Sequence, residues 1–212
     1  MTKIILIRHG YSLGNKEKKF TGQMDLPLDR IGRAQAMSVC EYVKEHYQVD
    51  WIYSSDLSRA RDTVAPLAKA LSLPIHECRE LREVDVGLWQ GMLIEEVAKT
   101  YPENFALYKK KPGLVTFDGG ESYGALIARV RPFIEKLAEE KDGKTLVIAT
   151  HGGVIRNLRA AWDGVELAEI ERIPHVPNAS LSVLHYENGR VTWQSVGEVA
   201  HLADRTTEEG VR

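Results

Sequence analysis

Three short stretches of the chain are almost uninterruptedly apolar: Lys3–Ile7, Asp50–Ser54 (DWIYS) and Thr145–Thr150 (TLVIAT). A continuous run, unlike an alternating one, predicts a strand covered on both faces, as in a parallel sheet. Between these runs the period changes. Asp29 is a good N-cap for a helix from about Arg30 to Glu45, with Ala34, Met37, Cys40 and Val43 stepping by three as its core stripe. Ser58 can cap a second helix to about Leu71, and Pro66 inside it predicts a kink or an early break. Ser122 can cap a long helix to about Glu140 with Ile127, Val130, Ile134 and Leu137 on one face, and Gly153 to Trp162 reads as a fourth. Ser180–Tyr186 and Arg190–Val196 flank Glu187-Asn188-Gly189, and Asn-Gly between two β-patterned runs predicts a hairpin. Strands alternating with helices and closing on a hairpin give an α/β fold with a mostly parallel sheet and an antiparallel edge. Residues 92–120 have the least regular pattern, and the polar tail after Leu202 is expected to be loose.

No repeat or linker interrupts the chain, so residues 1–212 read as one domain. Its 43% hydrophobic and 27% charged residues suffice for a covered core. The 28 Lys and Arg balance 30 Asp and Glu, which argues against a general nucleic-acid or membrane-surface binder; affinity for an anion must come from local arrangement. Cys40 and Cys78, far apart and without a motif, read as reduced thiols of a cytoplasmic protein. The apolar N-terminus is cut short by Arg8-His9 and reads as a strand rather than a signal peptide, and no run approaches a transmembrane length.

The chemistry gathers at strand ends. Arg8-His9-Gly10 follows the first strand, on the side where open α/β sheets bind ligands. The third apolar run ends the same way, in His151-Gly152-Gly153, and a helix follows whose N-terminus favours an anion. The two histidines are therefore expected to face one another. After the second strand come Arg59 and Arg61; two residues apart on a helix, they cannot share a face, so at most one points into a site. Glu83 and Asp85 lie in an apolar, Gly-punctuated loop that suits a general acid. A neutral imidazole, guanidinium groups, backbone donors and a carboxyl acid are what phosphoryl transfer requires. No metal-ligand spacing, P-loop or cofactor motif is present.

These residues, together with Leu6-Ile7, Asn15, Phe20-Thr21-Gly22, Leu28, Gly32, Gln35-Ala36, Ser54-Ser55, Ala60, Thr63, Gly87, Trp89, Gly91 and Gly120-Glu121-Ser122, resemble the histidine phosphatase superfamily, the phosphoglycerate mutase-like clan, in its branch 1. The resemblance spans about residues 3 to 202. It implies a three-layer α/β/α sandwich with a six-stranded, mostly parallel sheet, residues 92–120 forming an irregular, lid-like insertion. It implies that His9 becomes phosphorylated, that Arg8, Arg59 and His151 hold the phosphoryl oxygens, and that Glu83 is the proton donor, later the base that activates water. Asn15, Thr21, Gly22 and Gly152 would bind substrate. Tyr11 departs from the more frequent Glu after Arg-His-Gly, which bears on the pocket rim.

The expected activity is that of a metal-independent phosphomonoesterase acting on a small phosphorylated metabolite, without cofactor, nucleic acid or membrane; the oligomeric state stays open. The Phe20-Thr21-Gly22 stretch keeps a cofactor-dependent mutase as the alternative, with a non-catalytic binding module behind it. Against a mutase, Val84 follows Glu83 where the mutases carry an Arg, and residues 92–120 contain no Arg. Lys109-Lys110-Lys111, the cationic run there, reads as a solvated face.

Overall fold

In the computed structural model, residues 1–202 are described; the tail expected to be loose lies outside them. The strands are β1 (Thr2–Arg8), β2 (Trp51–Ser55), β3 (Ile75–Cys78), β4 (Thr145–Thr150), β5 (Leu181–Glu187) and β6 (Arg190–Glu198). The helices are α1 (Leu13–Lys16), α2 (Arg30–His46), α3 (Ser58–Leu71), α4 (Ile94–Thr100), α5 (Pro102–Lys110), α6 (Tyr123–Glu140) and α7 (Gly152–Asp163). The six strands form one sheet in the order β3-β2-β4-β1-β5-β6. β1 pairs in parallel with β4, and β2 with both β4 and β3, whereas β5 runs antiparallel to β1 and β6 antiparallel to β5. The antiparallel part is thus the whole terminal hairpin. Its turn has the left-handed φ of 49° at Asn188 and 77° at Gly189 that a tight primed turn demands.

The continuous apolar runs are explained by two cores. Ile4, Leu6, Tyr53, Leu146, Ile148 and Leu184 point to one face and pack under α6 and α7; Ile5, Ile7, Ile52, Val147, Ala149 and Val183 point to the other and pack under α2 and α3. Successive side chains of a strand face opposite ways, so a strand buried on both faces cannot alternate. This is the three-layer α/β/α arrangement.

The helix caps at Asp29 and Ser122 form as expected: Asp29 Oδ1 accepts from Gly32 N–H at 2.9 Å and Ser122 Oγ from Ala125 N–H at 3.1 Å. Four details differ from expectation. Met37 is exposed and Ala34 half-buried, while Cys40 and Val43 are buried as expected and join Gly32, Ala36 and Val39 on the covered side of α2. Three steps of three residues drift halfway round a 3.6-residue helix, so Ala34 and Val43 cannot share a face. In α6 Leu126, rather than Ile127, completes the buried face with Val130, Ile134 and Leu137. Ser58 is the first residue of α3 and not its cap; its N–H donates to Asp25 Oδ1 at 2.7 Å, so the cap comes from another segment, and the helix runs past Pro66 without a break. Residues 92–120, finally, contain α4 and α5, the latter opened by Pro102 at its first turn.

Candidate active site

Sheet order brings the chemistry together. β1, β4 and β2 are neighbours, with Arg8 level with Thr150 and Ser54 level with Ala149, so the segments beyond them emerge side by side. His9 and His151 come one residue after the level pair. Their rings lie 5.2 Å apart between centroids, as the two strand-end motifs predicted. His9 lines a cleft of about 370 Å³ together with Arg8, Asn15, Thr21, Gly22, Arg59, Glu83 and Gly152. His151 lies just beneath its surface, fully buried.

Each imidazole has one hydrogen-bond partner among the described residues. His9 Nδ1 is 2.8 Å from the carbonyl oxygen of Gly10. A carbonyl only accepts, so Nδ1 carries the proton and Nε2 keeps its lone pair. Burial first, then the charges of Arg59 and Arg8, holds the ring well below the ordinary imidazole pKa, and His9 is neutral at pH 7. His151 Nε2 lies 2.9 Å from Ser55 Oγ, and that oxygen accepts from Leu57 N–H at 3.3 Å. In the tautomer in which the Ser55 hydroxyl donates to Nε2, the His151 proton is on Nδ1, a buried atom with no protein partner among the described residues and so open to a ligand oxygen. Burial, then Arg59, also keeps this ring neutral.

The cations are built in rather than laid on the surface. Arg59 is 1% exposed and donates to the carbonyl oxygens of Met24 at 2.7 Å and Gly22 at 2.8 Å. Burial brings its pKa down to about 10, with the Glu83 charge opposing the shift, so it remains cationic. Arg8 donates from Nη1 to Val176 O at 2.6 Å, while its Nε is buried without a protein partner among the described residues. Arg61 points away and pairs with Asp62 at 3.3 Å, as the two-residue spacing required. Asn15 Oδ1 accepts from Ser12 N–H, Ser12 Oγ and Asn178 Nδ2, so the donor end of the Asn15 amide is what remains to offer.

Of the two candidate acids, Glu83 reaches the cleft and Asp85 does not. Glu83 Oε2 accepts from Gly153 N–H at 3.0 Å and Oε1 from Val84 N–H at 2.9 Å. Gly153 makes this approach possible: a Cβ there would fall 2.3 Å from Oε1. Asp85 Oδ1 instead accepts from Gly87 N–H at 2.9 Å and shapes the loop.

Several contributing residues carried no signal in the periodicity. Asn178, buried in an irregular segment, donates to the His9 carbonyl at 3.0 Å. Thr63 Oγ1 accepts from Gly10 N–H at 2.9 Å and donates to Arg59 O at 2.7 Å, tying the first strand end to α3. Arg129 of α6 holds Glu121 through two bonds of 2.8 Å and donates to the carbonyls of Glu80 at 2.6 Å and Arg82 at 3.2 Å; Glu121 in turn accepts from Asp85 N–H at 3.1 Å. This guanidinium–carboxylate pair grips the Glu83 loop on both sides. The three lysines also part company rather than forming one solvated face: Lys109 lines the cleft mouth, whereas Lys111 pairs with Glu171 and donates to Ala168 O.

A family model for the histidine phosphatase superfamily, branch 1, matches residues 4–199. The chain belongs to this superfamily. Phosphoserine phosphatase 1 of Hydrogenobacter thermophilus is 35% identical over 205 residues, 96% of this chain and 96% of that protein. A metal-independent phosphoserine phosphatase of Arabidopsis thaliana is 31% identical over 96% of this chain and 84% of its own length. Among solved structures, Bacillus stearothermophilus YhfR superposes with a TM-score of 0.91 at 27% identity, covering 95% of this chain and all of that one. This histidine phosphatase therefore has the fold its motifs implied, and the chain is a phosphatase of that family. Among the described residues no helix is long and apolar enough to cross a membrane.

Proposed function

We propose that this histidine phosphatase is a metal-independent phosphomonoesterase that works through a phosphohistidine. The observation that carries the reading is His9: a buried, neutral imidazole with its proton committed to the Gly10 carbonyl and its Nε2 lone pair unused. Nε2 attacks phosphorus, the ester P–O bond breaks, and the leaving oxygen takes a proton from Glu83. Glu83, now a carboxylate, accepts a proton from water as that water attacks the phosphohistidine, the P–N bond breaks, and inorganic phosphate leaves with His9 and Glu83 restored. Arg8, Arg59 and the Nδ1 proton of His151 supply the charge and donors that three phosphoryl oxygens need, and the N-terminus of α7 adds its dipole. Asn15, Thr21, Gly22 and Gly152 line the same cleft. Among the described residues no group of three or more His, Cys, Asp and Glu could hold a metal.

Hydrolysis is favoured over mutase action because a mutase must keep a bisphosphate. Val84 lines the cleft where a mutase-like Arg would stand, and the added cations at the mouth are Lys19, already paired with Glu17, and Lys109. The test is a coupled enolase assay beside a phosphate-release assay on one sample, with 3-phosphoglycerate, catalytic 2,3-bisphosphoglycerate and EDTA throughout. Inorganic phosphate is expected to accumulate, or nothing to react, with little 2-phosphoglycerate. Much faster formation of 2-phosphoglycerate would make the enzyme a mutase.

Arg129 enters this reading as a positioning residue for the acid. Arg129→Met removes the grip on the Glu80–Asp85 backbone, and a displacement of about an ångström costs on the order of a hundredfold in a positioned step. The loss should fall on an alkyl phosphate far more than on an aryl phosphate, which needs little help from an acid. Equal losses on both, tracking a lowered melting temperature, would reduce Arg129 to a structural role.

A further inference from the structure

Part of the same cleft has a different character. Phe20, Val86, Ile94, Phe105, Tyr108 and Phe117 line it. The rings pack on one another, Phe20 against Tyr108 at 5.3 Å and Phe105 against Tyr108 at 6.2 Å, so this wall is a preformed apolar surface and not a set of loose side chains. Ile94 keeps 43% of its surface open at the mouth. Most of the wall comes from residues 92–120, so it varies independently of the strand ends that carry the phosphoryl chemistry.

Charge is distributed unevenly along that wall. Glu83 is the one carboxylate among the described residues lining the cleft, and both its oxygens already accept from backbone N–H groups. Among the described residues lining the cleft, no second carboxylate stands to receive an ammonium group. Its other charged and titratable groups are cations or neutral: Arg8, Arg59, Lys19 and Lys109 are cationic, and His175 accepts through Nε2 from Arg156 Nη1, behind the lining, at 2.9 Å, which leaves it neutral with its proton on Nδ1.

Resting on the phosphomonoesterase reading above, we infer that the substrate is the phosphate ester of an uncharged, hydrocarbon- or ring-bearing alcohol, and not of an amino acid, although two relatives are named phosphoserine phosphatases. An apolar leaving group gains by covering the aromatic wall, whereas a zwitterion must surrender the hydration of its ammonium with no anionic acceptor in return.

Alkyl esters of comparable leaving-group chemistry test this on the intact enzyme. Propyl phosphate and 2-aminoethyl phosphate differ by a methyl against an ammonium at the same chain length; propyl phosphate should have the higher kcat/KM by about tenfold, and 2-phenylethyl phosphate should exceed O-phosphoserine by about a hundredfold. Tyr108→Ala, with Phe105→Ala as a second variant should the first fold poorly, should lose about tenfold more on 2-phenylethyl phosphate than on methyl phosphate, chiefly through KM. Phosphoserine or 2-aminoethyl phosphate turned over as well as its apolar counterpart, or equal losses on the large and small esters in both variants, would overturn the substrate class while leaving the phosphatase standing. Failure to release phosphate from any of these esters would overturn the phosphomonoesterase reading and this inference with it.

Discussion

His9→Ala is expected to abolish turnover, by about four to six orders of magnitude, because it removes the atom that forms the covalent bond and no neighbour can replace it. His151 is 5.2 Å away between ring centroids, but the ring is fully buried and its Nε2 is tied to Ser55 Oγ, so it is not placed to attack in its stead. The fold should survive. The His9 side chain makes one hydrogen bond, to the carbonyl of the very next residue, while the backbone at this point is held by Thr150, Thr63 and Asn178. Circular dichroism and a melting curve check the fold. Rapid quench without acid, followed by peptide mapping, checks the chemistry: the wild type should carry phosphate on His9. Phosphate on His151 or on a serine would refute the assignment.

Glu83→Gln should divide substrates by leaving group. An alkoxide needs a proton as the P–O bond breaks and a nitrophenolate does not, so the variant should lose roughly a hundred- to ten-thousandfold on an alkyl phosphate and far less on a nitrophenyl phosphate. The structure adds a complication that the aryl substrate controls for. Both Glu83 oxygens accept from backbone N–H groups, of Val84 and Gly153, and a carboxamide can accept at one end only. Its NH₂ would face a donor and shift the loop, and a shift alone would depress both substrates together. Asp85→Asn is the comparison: its carboxylate caps Gly87 N–H, away from the cleft, so it should harm stability more than it separates the two substrates. A larger split for Asp85→Asn would reverse the roles.

What could be read from sequence divides along physical lines. The strand-end motifs were legible because the hydrophobic run fixes where a strand stops, and the residues just beyond that point in an α/β sheet must face the ligand side. Register then did the rest: Arg8 opposite Thr150 makes two motifs 142 positions apart in the chain into neighbours. The Arg59/Arg61 choice was equally legible, since helical spacing allows one of them inside. Periodicity failed where burial is set by a partner rather than by the element itself. Met37 fits a three-residue step but not the face that α2 turns to the sheet. Asp25 caps α3 from a loop 33 residues upstream, which no local rule finds. Asn178 and the Arg129–Glu121 grip belong to the same class; they act through long-range hydrogen bonds to backbone atoms, and backbone atoms have no sequence signature. The cleft wall of Ile94, Phe105 and Tyr108 is a surface assembled by two short helices that the pattern left irregular.

The buried cations have a consequence for folding. Arg8, at the end of β1, and Arg59, 1% exposed in α3, stand beside two histidines, with Glu83 the opposing charge nearby. Bringing guanidinium groups together in a desolvated place works against the native state, and an anion bound between them relieves that repulsion. A ligand that binds the folded chain alone adds RT ln(1 + [L]/Kd) to its stability, about 2.7 kcal/mol at a hundred times Kd. Inorganic phosphate, as the product, meets this condition. One dissociation constant therefore governs two quantities usually measured apart: how strongly product slows the enzyme, and how far product raises the temperature at which the enzyme unfolds.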